Sequence, residues 1–370
     1  MDVTVGTFNL NNLFGRWNLF VDVAEPADAA DAAVAGDADA EPPRPWLRRA
    51  ASPVPVRPMG AIAEGMASPD VAADADSGGL PDVQITISGT ALPDGSVRWR
   101  TNPLSGKVVF EKTAEARAIL ARRITEMDVD ILAVQEVEDV RTLEEFARSE
   151  ALAQQGYKHI VLVEGNDQRL IDVGLLSRLP LRAVTSWRHR TYQSKGNEPV
   201  FSRDLLEVEV FDRKKTRVLF TLFVNHLKSQ LARNEAEKLK GNVRRRKQAE
   251  TIATVLGERG PGPVIVLGDM NDSPTSAPLA ALAGAHLVNA LAAAKERGGP
   301  YPPGDPEAPT NPIWTHRYKG SGQPARYELF DQIWLSPDLV PALRDAFILR
   351  RTTRAGDGTD HDPAWIKVSV

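Results

Sequence analysis

The sequence predicts an α/β sandwich, with sheets at the centre and helices covering them. Two observations carry this: short apolar runs rich in β-branched residues recur along the chain, and stretches with helical apolar spacing lie between and outside them. The first strand is read at Val3-Thr-Val-Gly-Thr-Phe. Thr113 to Met127 has apolar residues at helical spacing and feeds Val129-Asp-Ile-Leu-Ala-Val, a run suited to a buried strand. Further strands are read at Lys158 to Val163, Asp172 to Leu176, Asp204 to Val210, Val218 to Val224, Val264 to Leu267, Gln332 to Leu335 and Ala364 to Val368. Glu235 to Leu256 is the longest helix, and no internal repeat is evident at any period.

One stretch breaks the pattern. From about Ala24 to Gly79 the chain is dominated by Ala, Asp, Pro and Gly, with Trp46 its one aromatic residue. Such a composition cannot bury enough apolar surface to offset the entropy of ordering, so the stretch reads as largely disordered, within an insertion spanning 21–105. Towards its end, Gln84-Ile-Thr-Ile and Ser96-Val-Arg-Trp flank the turn sequence Leu92-Pro-Asp-Gly, which predicts a β-hairpin over about 83–110.

Composition narrows the chemistry. The 370 residues include no cysteine, which excludes disulfides, a thiolate nucleophile and Cys-ligated zinc, and directs any metal towards oxygen and imidazole ligands. A net charge of −4 argues against coating nucleic acid by bulk charge, although an enzyme needs only a local basic surface. No apolar run approaches the roughly 20 residues of a membrane span. The expectation is a soluble protein, cytoplasmic as the sequence stands and secreted if a signal peptide has been removed, with no obligate protein partner evident.

Polar residues gather where the apolar strands run out. Asn9 and Asn11 end the first strand, Gln135 and Glu136 the second, Asn225 and His226 a third, and Asp269 with Asn271 a fourth; Asp331 opens a strand and Asp360-His361 precede the last. Each has a plain alternative: Asn9-Leu-Asn-Asn is Asn-rich as turns are, Gly268-Asp-Met-Asn-Asp suits an Asx turn, and His226 suits a half-buried structural histidine. Their joint occurrence at strand ends is what favours a single cleft.

The order Thr7-Phe-Asn-Leu-Asn-Asn, Gln135-Glu136, His226, Gly268-Asp-Met-Asn-Asp, Asp331 and Thr359-Asp-His-Asp-Pro resembles the endonuclease/exonuclease/phosphatase, or deoxyribonuclease I-like, superfamily. The resemblance covers residues 1 to about 20 and about 106 to 370. It implies one catalytic domain made of those two segments, a four-layer α/β/β/α sandwich with two central mixed sheets, interrupted by the low-complexity insertion after the first strand. Phe201-Ser-Arg-Asp looks like the phosphate-contacting strand entry of secreted deoxyribonucleases, and Asn225-His-Leu-Lys-Ser is closer to bacterial nuclease and sphingomyelinase branches. Asn11 stands where some relatives have Asp.

What the resemblance implies is a Mg²⁺- or Mn²⁺-dependent phosphodiesterase using an in-line water. Glu136, with Asp360 and the amide oxygen of Asn11, would hold the cation; Asp269 would orient or deprotonate the water, and Asn271 would donate to the phosphate. His361 would donate to the scissile phosphate with Asp331 holding its ring, and His226 would supply a second imidazole. Asn9, Arg203, Lys228 and Asn166 are the candidate substrate contacts, Asn166 reading equally as part of a plain loop. His316, in Trp314-Thr-His-Arg-Tyr, lies in a segment resembling a family substrate loop.

Nucleic acid, DNA or RNA, is the leading substrate, on the strength of Arg203 and the basic run Lys238-Leu-Lys-Gly-Asn-Val-Arg-Arg-Arg-Lys247. A lipid or inositol phosphate is the alternative, with Trp99 as a candidate membrane-facing aromatic, and an inactive binding module the remote one.

Overall fold

The computed structural model describes residues 1–15, 18–21, 82–91, 97–109 and, from 111 onwards, all but 168, 193–197, 233, 299–308, 310–312, 321 and 354–356. The stretch read as disordered, about 24–79, lies outside the described residues. Contacts divide the chain into one unit of residues 1–20, 75–83 and 106–370 and another of 21–74 and 84–105. Strands Asp82–Ala91 and Val97–Val109 neighbour one another where the sequence reads a hairpin; its turn, 92–96, is outside the described residues.

The larger unit contains two mixed sheets. The first uses β1 (Asp2–Leu13), β2 (Ile131–Val137), β3 (His159–Leu162) and β4 (Asp172–Ser177); the second uses β5 (Leu181–Ser186), β6 (Leu205–Phe211), β7 (Val218–His226), β8 (Val264–Asp269) and β9 (Val288–Asn289). β10 (Lys295–Arg297) joins the first sheet, β11 (Asp331–Leu335) the second, and β12 (Leu343–Leu349) and β13 (Ala364–Ser369) return to the first. The orders are β10-β12-β13-β1-β2-β4-β3 and β9-β11-β8-β7-β6-β5.

Alternation along the strands builds four layers. In β2, Ile131 and Ala133 face the core between the sheets, while Leu132 and Val134 face a second core with Leu120 and Ile124 of α1 (Ala114–Met127) and Leu143 and Phe146 of α2 (Val140–Ala147). In β8, Ile265 and Leu267 face the central core, and Val264 and Val266 pack on Ala249, Ile252 and Val255 of α3 (Glu235–Arg259). Strands with helices on one face and another sheet on the other are buried on both, which is why they read as unbroken apolar runs. Burial of each such Leu, Ile or Phe contributes about 1.5–3 kcal/mol. The helices start where side chains satisfy free amides: Thr113 caps α1 through Ala116 N, Asp139 caps α2 through Thr142 N, and Asn234 caps α3 through Glu237 N. The architecture is the four-layer α/β/β/α sandwich expected from the sequence.

Each sheet has one parallel central pair closed by a crossover that contains a helix: β1 and β2 with α1, and β7 and β8 with α3. Around these pairs the plan repeats, since β12-β13-β1-β2-β4-β3 and β5-β6-β7-β8-β11-β9 share the same succession of antiparallel and parallel neighbours. The repeat is one of strand plan and pairing register, without a matching repeat in the sequence. It places the C-terminal ends of four parallel-paired strands on the same side of the molecule as the chemistry discussed below.

Gly268 marks how closely β7 and β8 approach there. Its φ is 138°, and a Cβ on it would lie 1.9 Å from the carbonyl oxygen of Asn225, its partner in the ladder. Gly268→Ala is expected to destabilise the fold by about 2–6 kcal/mol, the sum of overpacking and backbone strain. A urea melt of the variant checks this; a midpoint equal to that of the unaltered protein would refute the close approach.

Candidate active site

The site begins with an irregularity in two neighbouring strands. β1 and β2 pair in register up to Asn9 and Gln135, then slip before Leu13 and Val137. β2 slips against β4 at the same point, leaving Glu136 as the extra residue. Asn11, Asn12 and Glu136 take φ of 46°, 59° and 61°, the left-handed region that costs non-glycine residues energy. Such bulges re-aim side chains. Gln135 stays inside, accepting from Thr7 Oγ1 at 3.2 Å, and Glu136 is turned outward.

Asp269, at the end of β8, is the buried centre of the cluster, 1% exposed. Its Oδ2 accepts from Asn9 Nδ2 at 3.0 Å and its Oδ1 from the Asn271 amide at 2.8 Å. His226 Nε2 lies 3.4 Å and His361 Nε2 3.8 Å from the same Oδ2. Asn9 Nδ2 also reaches Glu136 Oε1 at 3.4 Å, so it bridges the two carboxylates. Burial raises the Asp269 pKa to about 6, against the cationic His361 that pulls it down.

The two histidines have opposite electrostatics. His226 is held well below its ordinary pKa by burial first and then by the positive charge of Arg203, so it is neutral, and among the described residues its Nδ1 has no hydrogen-bond partner. His361 loses on burial but gains more from Asp331, Asp269 and Asp360, and is raised to about 10. Its Nδ1 sits 2.7 Å from Asp331 Oδ2. Asp331 is itself held by Thr315, whose Oγ1 accepts from the amides of Phe330 and Asp331.

On the opposite side, Asp360 Oδ1 accepts from Asn11 Nδ2 at 3.0 Å, and Glu136 Oε2 from the Asn12 amide at 3.1 Å. Burial would raise the Asp360 pKa, but His316, His361 and Arg351 outweigh it and hold the carboxyl well below its usual range. Asp360, held ionised, the outward-turned Glu136 and the Asn11 amide oxygen, which already accepts from Asn12 Nδ2 at 3.0 Å, are oxygen donors of the kind that could hold a hard divalent cation. Another set of metal-type donors, His316, Asp360 and His361, lies within 4.8 Å. Asp360 is common to both sets.

Of the expected substrate contacts, Arg203 is buried, with Nη1 donating to Leu227 O at 3.3 Å and Nε 3.0 Å from Asp167 Oδ2. Leu227 O also accepts from Asn271 Nδ2, which ties Arg203 to the Asp269 loop. Lys228 is half-buried, its pKa lowered by burial and by the neighbouring charges of Arg203, Arg169 and Arg244. Asn166 Nδ2 donates to the carbonyls of Arg188 and Phe201, so that amide is engaged in holding its loop. Arg245 of the basic run, counted in the sequence towards nucleic-acid binding, is buried, paired with Asp272 and donating to Lys228 O and Ser229 O, so it is a structural residue and adds nothing to the basic surface.

One neighbour, Lys112, escaped the sequence reading, and another, His316, was read only as part of a segment resembling a substrate loop. Lys112 Nζ donates to Gly358 O at 2.8 Å, and burial pulls its ammonium down to about 8 despite the attraction of Glu136 and Asp360. No motif announces it. His316 Nε2 lies 3.5 Å from Asp360 Oδ2, with its ring stacked on Phe330. A Trp-Thr-His-Arg segment pairing with the Asp360-His361 loop is visible only once His316 and His361 form a β-bridge.

The family described as endonuclease/exonuclease/phosphatase matches residues 82–354. That span contains Glu136, Asn166, Arg203, His226, Lys228, Asp269, Asn271 and Asp331, and the pairing of β1 and β13 brings Asn9, Asn11, Asp360 and His361 to them. No curated protein matches the chain. Among solved structures, an endonuclease/exonuclease/phosphatase of Bacteroides vulgatus is 15% identical, with 69% of this chain and 90% of that chain covered and a TM-score of 0.48. The mannosyl-6-phosphatase of Bacteroides thetaiotaomicron is 16% identical, covering 69% and 91% with a TM-score of 0.48. A humanized D. rerio TDP2 is 16% identical, covering 69% and 92% with a TM-score of 0.45. Members of the matched family are in general hydrolases of phosphoesters that use divalent metals. With the family matched over most of its length and the two mixed sheets in place, this chain belongs to the endonuclease/exonuclease/phosphatase family.

Proposed function

We propose that the protein hydrolyses a phosphodiester by in-line attack of water, assisted by Mg²⁺ or Mn²⁺, with DNA or RNA the leading substrate. The observation that carries the reading is Asp269: a buried carboxylate with its pKa raised to about 6, fixed by Asn9 and the Asn271 amide between a neutral and a cationic imidazole. A base poised near neutrality can accept a proton from the attacking water. His361, kept protonated by Asp331, donates from Nε2 to a phosphoryl oxygen, and the second amide hydrogen of Asn271 adds another donor. His226 directs Nε2 at Asp269 and Glu136, so it aligns the base. Glu136, Asp360 and Asn11 would hold the cation, which when bound neutralises charge on the phosphoryl oxygens.

Support for nucleic acid comes from the positive charges near His226 and Lys228: Arg203, Arg169 and Lys228 bear on His226, and Arg244 bears on Lys228. A lipid phosphoester is the second reading, favoured by Leu231, Leu239 and Val243, which are 67%, 64% and 50% exposed in and before the first turns of α3, among Lys238, Lys240 and Arg246. Plasmid, single-stranded DNA, RNA and sphingomyelin vesicles incubated in Mg²⁺, Mn²⁺ and EDTA decide between them. Metal-dependent cutting of the polynucleotides is expected; turnover of the lipid alone would overturn the nuclease reading.

Glu136→Gln should lower kcat by two or more orders of magnitude, roughly the loss of several kcal/mol of charge stabilisation, and leave the circular dichroism spectrum unchanged. Near-normal turnover at low Mg²⁺ would remove Glu136 from the metal site.

The Asp331–His361 pair also predicts a pH dependence. A histidine raised from 6.5 to about 10 on folding contributes stability that is fully present below about pH 6.5 and lost as pH rises through about 10. Asp331→Asn should reduce stability at pH 6 and flatten its decline between pH 7 and 10, and it should shift the alkaline limb of the rate profile to lower pH. Urea melts and kcat measured across that range check both.

A further inference from the structure

The residue after His361 has no part in the chemistry above. Asp362 is fully buried, and three guanidiniums, also buried, converge on it. Arg123 Nη2 lies 3.1 Å and Arg351 Nε 3.0 Å from its Oδ1, and Arg350 Nη1 3.1 Å from its Oδ2. Gathering one anion and three cations in a core is not a route to stability, since apolar side chains of similar volume do as well or better. The spare guanidinium donors show what the arrangement supplies. Arg351 Nη2 donates to Asp360 O at 2.7 Å and to Thr315 O at 3.3 Å, and Arg123 Nη1 donates to His361 O at 3.2 Å. These carbonyls belong to the loop that presents Asp360 and His361 and to the segment beside it that presents His316.

We propose that Asp362, Arg351 and Arg123 are positioning residues: a clamp that fixes the Asp360 and His361 backbone and so aims both side chains at the phosphate. The proposal rests on the phosphoester-hydrolase reading. Asp362 Oδ1 aligns the two planar forks, each fork holds the carbonyl of one site residue, and Pro363 follows at once into the last strand. Arg350 shares the Asp362 carboxylate from the other oxygen, but its reach is different: Nη1 goes to Trp314 O, Nε to Glu296, and its guanidinium carbon lies 4.0 Å from the centroid of the Trp314 ring. It is therefore an internal control, equally buried and bound to the same anion, whose hydrogen bonds among the described residues go to Trp314, Glu296 and Asp362 rather than to the Asp360 or His361 backbone.

Lysine keeps the charge and removes the fork. In Arg351→Lys and Arg123→Lys, kcat for metal-dependent hydrolysis of bis(p-nitrophenyl) phosphate should fall by about 10- to 100-fold, the scale of an ångström-sized misplacement, with KM within about twofold. Arg350→Lys should lose comparable stability in a urea melt yet keep kcat within about threefold. A second readout does not need turnover. The proton shared between His361 Nδ1 and Asp331 should shift in the NMR spectrum of Arg351→Lys and stay in place in Arg350→Lys. If the unaltered protein hydrolyses no phosphoester, the hydrolase reading fails and the NMR comparison still decides the clamp. If the Arg350 variant loses as much kcat as the Arg351 variant, or the His361 proton moves equally in both, the cluster only holds the core together and the proposal is overturned.

Discussion

Keeping the Asp269 carboxylate out of water sets the terms for everything around it. An ionised group in that position is tolerable only if several donors meet it at once, and no single strand can supply them. The first sheet supplies Asn9, the turn after β8 supplies the Asn271 amide, β7 supplies His226, and the last loop supplies His361. The two sheets must therefore be stacked with their strand ends level before the carboxylate has its partners. Packing of the central core and the electrostatics of the site are one requirement seen from two sides.

The local cost of the site is plain in its backbone. Asn11, Asn12, Glu136 and Asn271 all hold left-handed conformations, and Gly268 takes a φ that a side chain would not permit. Such strain persists where the surroundings over-determine it. Here the surroundings are three apolar clusters in which β1, β2, β7 and β8 are packed on both faces, so the strands cannot relax by sliding.

Much of this was legible in the sequence because burial on both faces leaves an unmistakable mark. Val264 to Leu267 and Val129 to Val134 read as buried strands for that reason, and the polar residues at their ends stood out by contrast. Elements without that contrast were missed. β5 is an edge strand with Arg182 to Thr185 exposed, and β12 begins with Leu-Arg-Asp, a mixed start that hides the apolar run behind it. At the site, the structure gathers residues that their own motifs had singled out, whereas those defined by a distant partner had not been singled out. Lys112 matters through Gly358, and Arg245, legible only as one of a row of surface charges, turns inward because Asp272 waits for it.

The repeated strand plan has a chemical corollary. Ladder partners place Asn9 against Gln135 and Asn225 against Gly268, and Val173 and Gln332 lie across from those two residues in turn. By that register Asn9 answers to Asn225, Glu136 to Asp269, and Asp172 to Asp331. The carboxylate proposed to hold the cation and the carboxylate proposed to take the proton thus share one address in two halves of an approximate dyad. What separates them is a single inserted residue: Glu136 leaves the ladder and keeps a wetted side chain, whereas Asp269 stays in register and dries out. Division of labour between the halves is then a matter of hydration, written into the backbone before any side chain is chosen.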